Sequence, residues 1–262
     1  MSENEVSKTE LSVIIIAGDE EDNIAECLQS VDWADERIVI CSSRSDRTME
    51  IAEHYATQVQ FRDFDSFAGQ KQFALDLATR EWVLSLDADE RVTSELRDEI
   101  TRILVSAEAK DGYTIPRKNF YAGTWLRHGG WYPDRQLRLF RKSAVRLIER
   151  LVHESFHVRG SVGELHTHML HYTLPDIGHL LRKNLKYSSL EALEKHKKHR
   201  VGPATVLLRP PLEFLLKYFI RGGFLDGWAG FVVATIHSMN KMQMLLQMWE
   251  MQRRQGERKD ES

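Results

Sequence analysis

"LSVIIIAGDEEDNIAECLQSVDWADERIVIC", Leu11 to Cys41, is the stretch on which the fold turns. Its first seven residues are apolar and rich in β-branched side chains, which is the composition of a buried strand. Ile24, Leu28 and Val31 then recur at helical spacing across 20–31. "RIVIC" (Arg37–Cys41) reads as a second strand. A strand, a helix and a second strand in such short compass form a unit whose strands run parallel.

The alternation continues outward from there. Asp46 stands where it would cap a helix over 47–56, and a contact to a ligand is the other reading of the same residue. "QVQF" (Gln58–Phe61) is a short third strand, followed by a helix over 66–79. "EWVLSL" (Glu81–Leu86) is a fourth strand, and a helix follows Thr93. The series predicts an α/β fold with a mostly parallel, doubly wound sheet flanked by helices. Right-handed crossovers put the carboxyl ends of these strands along one edge, where ligands bind in such sheets. That edge carries Ala17–Glu21, Cys41–Asp46 and Asp87–Asp89. No G-x-G-x-x-G follows the first strand and no P-loop lysine motif occurs, which argues against a dinucleotide or ATP enzyme.

A chain of 262 residues with 42% hydrophobic content fits one sizeable domain, or one with a smaller appendage. Two cysteines, Cys27 and Cys41, are too few for a disulfide framework and point to a reducing compartment. The polar, acidic opening "MSENEVSKTELS" shows no secretory signal, and there is no apolar run of spanning length. Charge is uneven. Residues 1–100 sum to -15, and 101–175 and 176–262 to +6 each, within a total of -3. An acidic first third argues against a nucleic-acid binder and suits a cation site there, with anionic partners further on.

"LDADE" (Leu86–Glu90) concentrates that acidity at the end of a core strand. Taken alone, such a pattern is weak, because Asp89 or Glu90 serves equally well as the cap of the next helix. In extended chain, residues i and i+2 point the same way, so Asp87 and Asp89 would converge. Two hard oxygen ligands of that kind suit Mg²⁺ or Mn²⁺ held jointly with substrate phosphates.

With these residues in place, the stretch from Leu11 to about Phe140 resembles the family 2 glycosyltransferases of the GT-A fold. The bacterial branch that adds sugars to lipopolysaccharide core or similar glycolipids matches best. The resemblance is carried by the opening segment, "SDRTMEIAE", "FAGQKQFALDLATREWVLSLDADERV", "GYTIPRKNFYAGTWLRHGGWYPDRQLRLFRK" and "VHES". It implies an inverting transfer from a nucleotide sugar, with a UDP-hexose as the expected donor. Ala17, Glu20, Ser42, Asp46, Lys71, Asp87 and Arg138 are the implied donor-binding residues. Asp87, Asp89 and His153 are the implied metal ligands, and Asp134 the general base, with Glu154 in reserve. The sequence departs from its relatives in two places. "AGDEE" replaces a pattern like "TKNEE", and "CSSRSD" puts Cys41 where the second strand usually ends in aspartate. Donor binding shifted to neighbouring residues, a different nucleotide, and a non-catalytic relative acting as a membrane-peripheral scaffold all follow from that departure.

Further along, Arg117, Lys118, Arg127, Arg135, Arg138, Arg141 and Lys142 supply charge for phosphates or for solvent. Trp125, Trp131 and Tyr132 are stacking surfaces for a sugar or ordinary core. His166, His168 and His171 make a weak zinc pattern with no cysteine nearby. Residues 176–200 read as a helix with a basic end. Two short apolar helices follow, broken at "RGG", with Arg209, Pro210, Pro211, Lys217, Arg221 and Asp226 interrupting them. They suit a membrane surface, with packing on the catalytic domain or a dimer interface as alternatives. The expected organisation is a tail over 1–10 and a catalytic domain over 11–175, divided at 110 into nucleotide-sugar and acceptor halves. A helical, membrane-surface extension covers 176–262. Expected partners are the sugar donor, a glycolipid acceptor and the inner leaflet, with a homo-oligomer open and no nucleic acid. The expected location is cytoplasmic, peripheral on the inner membrane.

Overall fold

The computed structural model of the chain describes residues 10–148, 155–174, 177–196 and 198–260. Within these, the chain forms two compact units. The first contains 10–117, 135–148 and 155–171, and the second 118–134, 172–174, 177–196 and 198–260.

The first unit begins with the alternation expected from the sequence. It runs β1 (Leu11–Ala17), α1 (Ile24–Gln29), β2 (Glu36–Cys41), α2 (Thr48–Tyr55), β3 (Gln58–Phe61), α3 (Phe67–Leu77) and β4 (Trp82–Asp87). Then come β5 (Glu90–Val92), α4 (Ser94–Leu104), β6 (Gly112–Tyr121), β7 (Thr124–Trp125) and β8 (Asp134–Arg141). The short strands β9 (Val145–Ile148), β10 (Ser155–Val158), β11 (Val162–Glu164) and β12 (Met169–Leu174) follow. β1, β2, β3 and β4 pair in parallel, and β8 joins β4 antiparallel. The main path through the sheet is β3-β2-β1-β4-β8-β6-β12-β5, with β7 and β11 pairing on β6.

Alternation along the parallel strands explains why they are buried on both faces. Val13, Ile15, Val39, Leu84 and Leu86 pack with Ile24, Cys27 and Leu28 of α1. Ile14, Ile38, Ile40 and Val83 point the other way, onto Ala74 and Leu75 of α3. Ser66 caps α3 by accepting from the Gly69 amide at 2.9 Å, and Thr93 caps α4 by accepting from Leu96 at 3.2 Å.

The sheet order has a geometric consequence for the site. β4 is fourth and β5 eighth, yet only Ala88 and Asp89 separate them in the chain. Two residues cannot bridge a flat sheet at nearly 5 Å per strand, so the sheet curls back on itself. The "LDADE" turn closes that curl.

The second unit is mainly helical: α5 (Ile177–Lys195), α6 (Pro203–Leu215), a π turn (Leu216–Ile220), a 3₁₀ turn (Gly223–Asp226) and α7 (Gly227–Asp260). α7 is one long helix where a short one was expected. Pro210 and Pro211 lie inside α6 rather than breaking it. Tyr121 and Leu126, from 118–134, form one apolar cluster with Ala229, Val232, Val233 and Ile236 of α7. No single helix among the described residues is long and apolar enough to cross a membrane. Pro203–Ile220 and Gly223–Arg254 pass the length and composition test only as a pair, bent by 71°.

Candidate active site

In the first unit the strand ends lie level, because Ala17 pairs with Cys41 and Ile16 with Asp87. Beyond Asp87 the chain turns at Ala88–Asp89 instead of staying extended. The expected convergence of Asp87 and Asp89 by strand alternation therefore does not apply, and each has its own partners. Asp87 is bonded by Arg138 of β8 at 2.5 Å and lies 3.6 Å from the Lys71 ammonium of α3. Asp89 pairs with His171 of β12 at 3.3 Å.

Glu90 is not a helix cap. It is fully buried, and Oε1 accepts from Arg117 at 2.9 Å and from Arg138 at 2.6 Å. Its Oε2 accepts from the Asp87 amide at 3.0 Å, which holds the turn shut. Lys71, Arg117 and Arg138 thus offset the charge of Asp87 and Glu90 within the protein, while Asp89 faces His171. Burial alone would raise the Asp87 pKa, but Arg138, then Lys71 and Arg117, outweigh it and hold the carboxyl well below the usual range. Burial acts on Arg138 in the opposite sense, and Asp87 and Glu90 overcome it and keep the guanidinium charged. The Nε of Arg138 is buried with no hydrogen-bond partner among the described residues.

Two loops complete this edge. The Ala17 carbonyl accepts from the Ser42 amide at 2.9 Å, and Asp19 accepts from the Ser45 hydroxyl. Asp46 accepts from the amides of Glu21 and Thr48, each at 3.0 Å, and from the Thr48 hydroxyl at 2.7 Å. Arg47, not Asp46, occupies the N-cap position of α2, yet the Asp46 side chain still satisfies an amide of its first turn. Glu20 accepts from the Asn23 side chain at 2.9 Å. Cys41 is fully buried in the core, and burial, with Asp46 and Glu53 adding, pushes its thiol up to about 11. It acts as a small apolar residue.

The second unit holds Asp134. Asn119, nearly fully buried, donates to the Trp131 carbonyl at 2.9 Å and to Asp134 Oδ2 at 3.2 Å, which orients the carboxylate. In the same unit Trp125 lies between Arg127 and Lys118, 4.2 and 4.7 Å from its ring centroid, with Tyr132 edge-on. Trp131 packs on the apolar cluster instead. His128 Nδ1 contacts Asp226 Oδ1 at 2.7 Å, and Asp226 Oδ2 accepts from the amides of Arg127 and His128. His153 and Glu154 lie outside the described residues.

Among the described residues no group of three or more His, Cys, Asp and Glu side chains could hold a metal ion. Mg²⁺ commonly takes one or two carboxylates and leaves its other positions to phosphate and water. Asp87 and Asp89 offer two carboxylates of the kind such an ion takes, one at the end of β4 and one in the turn that follows. The sequence missed Glu90 as an anchor and His171 as a partner of Asp89. Arg117 stood out only as one of a run of basic residues. Its place beside Glu90 depends on pairing between strands far apart in sequence.

The curled α/β sheet thus carries its charged side chains at the carboxyl ends of its parallel strands. Residues 12–153 match the family described as Glycosyl transferase family 2, and the chain belongs to that family. Lipopolysaccharide core biosynthesis glycosyltransferase LpsC of Rhizobium meliloti is 29% identical over 239 residues, covering 87% of this chain and 88% of the relative. An uncharacterized glycosyltransferase of Rickettsia prowazekii is 30% identical over 254 residues, covering 91% and 86%. The crystal structure of S. aureus TarS in complex with UDP-GlcNAc aligns over 94% of this chain and 92% of that one, at 14% identity and a TM-score of 0.48.

Proposed function

We propose that this family 2 glycosyltransferase is an inverting, metal-dependent hexosyltransferase. It moves a hexose from a UDP-sugar to a lipopolysaccharide-core or related glycolipid at the cytoplasmic face of the inner membrane. The observation that carries the donor site is the balanced cluster of Lys71, Arg117 and Arg138 around Asp87 and Glu90, next to Asp89. The likeness to LpsC supports the acceptor class.

In this reading Ala17, Glu20, Ser42 and Asp46 border the nucleoside. Lys71 and Arg138 face the diphosphate. Asp87 and Asp89 hold Mg²⁺ or Mn²⁺, with His153 as a third ligand. A bound ion would supply neutralisation of the departing nucleoside diphosphate. The acceptor hydroxyl oxygen bonds to the anomeric carbon on the face opposite the diphosphate, whose bond to that carbon breaks. Asp134, oriented by Asn119, takes the hydroxyl proton, and Glu154 is the alternative base.

Calorimetric titration with a panel of nucleotide sugars, with and without Mn²⁺, tests the donor site. Metal-dependent binding of a UDP-sugar is expected, and Asp89→Ala should remove the metal dependence. Binding of no nucleotide sugar would favour a non-catalytic, membrane-peripheral relative, the reading that buried Cys41 at the nucleoside edge supports.

A further inference from the structure

The segment that joins α6 to α7 presents an apolar face to the outside of the second unit. Leu208, Leu212, Leu215 and Phe219 recur at helical spacing and are all about half exposed. Ile220, Leu225 and Trp228 continue the face around the turn, at 78, 62 and 75% exposure. Large side chains this open and this close together are unusual on a surface with no partner.

The charges within this segment are sorted by sign. Arg209 and Arg221 are exposed. Both acids are held elsewhere. Glu213 is paired with His237 at 3.3 Å, and Asp226, only 4% exposed, is bonded to His128. The exposed charges beside the open apolar face are therefore both cationic. Beyond Trp228, one side of α7 is committed to protein, with Val232, Val233 and Ile236 buried in the cluster around Tyr121 and Leu126. One side of the bent pair is thus free, which suits lying in an interface better than crossing it.

We propose that this face docks on an anionic phospholipid bilayer. Ile220, Leu225 and Trp228 enter the boundary between headgroups and acyl chains, and Arg209 and Arg221 meet lipid phosphates. The proposal rests on the glycolipid reading of the acceptor, since docking here would bring the second unit to a membrane-resident substrate.

The test is flotation of the full-length chain with vesicles of phosphatidylcholine alone, or of phosphatidylcholine mixed with phosphatidylglycerol. The protein should float with the mixed vesicles and less with the neutral ones. Ile220→Glu/Leu225→Glu should lower the partition coefficient about a hundredfold. Arg209→Gln/Arg221→Gln should remove the preference for the anionic lipid. For the unaltered protein, amide exchange on vesicles should slow in 207–231 above all, a readout that does not depend on a variant folding. Failure to float, or flotation unaffected by the double glutamate change, would overturn the proposal. So would a lipid-free dimer that the same change makes monomeric, because a second copy would then cover the face. Donor titration without lipid reports on the enzyme reading separately, so either one can fail alone.

Discussion

Glu90 shows how one side chain organises the site without touching a ligand. It is buried, it accepts from two guanidinium groups, and it closes the turn through the Asp87 amide. Removing Arg138 would leave Glu90 with one cation in a dry environment. Breaking a buried pair from one side costs about 3–5 kcal/mol. Arg138→Met should therefore lower the unfolding free energy read from urea melts by an amount of that order, with Arg138→Lys in between. Asp87 adds a pH dependence. Its folded pKa is depressed, so its contribution is complete above the unfolded value of about 3.9 and is lost as pH falls through the lower folded value. Asp87→Asn should be less stable at neutral pH and show a flatter acid limb in urea melts taken from about pH 5 downward. Cys41 gives the opposite kind of prediction. With its thiol near 11 and no exposure, it should resist alkylation at pH about 8 until the protein unfolds, as mass spectrometry would read. At this scale the sequence announced Asp87, Asp89, Lys71 and Arg138, through the resemblance and through density of charge. It did not announce the three bonds of Glu90, because one donor is in the turn and the other two arrive on β6 and β8.

The elements of the first hundred residues were legible because both signals behind them are local. Strand alternation and helical spacing each need only a few neighbours, and Ser66 and Thr93 cap the helices that follow them. The curl was not legible. It needs β5 to pair with β12, with His171 opposite Glu90, and nothing in either strand names the other. The same holds for the loop at 127–130 and the turn after the π segment. Asp226 accepts from the Arg127 and His128 amides at 3.0 and 2.8 Å, and the Gly129 amide donates to the Arg221 carbonyl. Gly130 has φ +85°, a left-handed conformation that favours glycine, and a Cβ there would push aside the end of the Arg221 side chain. From sequence, "RGG" was a break between two helices, and nothing linked it to the distant "HGG". In the structure each holds the other. Asp226→Ala strands two amides and a ring nitrogen and should cost about 1–3 kcal/mol. The expected signature is faster amide exchange at 127–129 with little change along β1 and β4. Equal acceleration across the chain would mean that the contact is not a local tie.

On the scale of the whole chain, the notable feature is which segments share a core. The carboxyl-terminal helices looked like an extension appended to a finished domain. Within the second unit, however, Tyr121 and Leu126 depend for their burial on Ala229, Val232, Val233 and Ile236, more than 100 residues later. A second cluster joins Ala192 of α5 and Val201 to Met244, Leu245 and Met248 of α7. The side chain of Gln252 adds a polar clasp, accepting from the Val201 amide and donating to the carbonyls of His196 and His199. Such pairings are invisible to any reading that scans windows of sequence, because the apolar residues on 118–134 are too few to predict their partner. They make a definite claim about truncation. A chain ending at residue 202 keeps Tyr121, Leu126, Ala192 and Val201 but loses the α7 side of both clusters. Tyr121, Leu126 and Val201 returned to water, at about 1.5–3 kcal/mol each, exceed what a helix and a few short loops recover by other means. The shortened protein should bind a hydrophobic dye, melt over a broader range by circular dichroism, and lose protection at 118–134 in amide exchange. If it stays monomeric, melts sharply and ignores the dye, then α6 and α7 are a separable anchor, and the second unit has a core of its own without them.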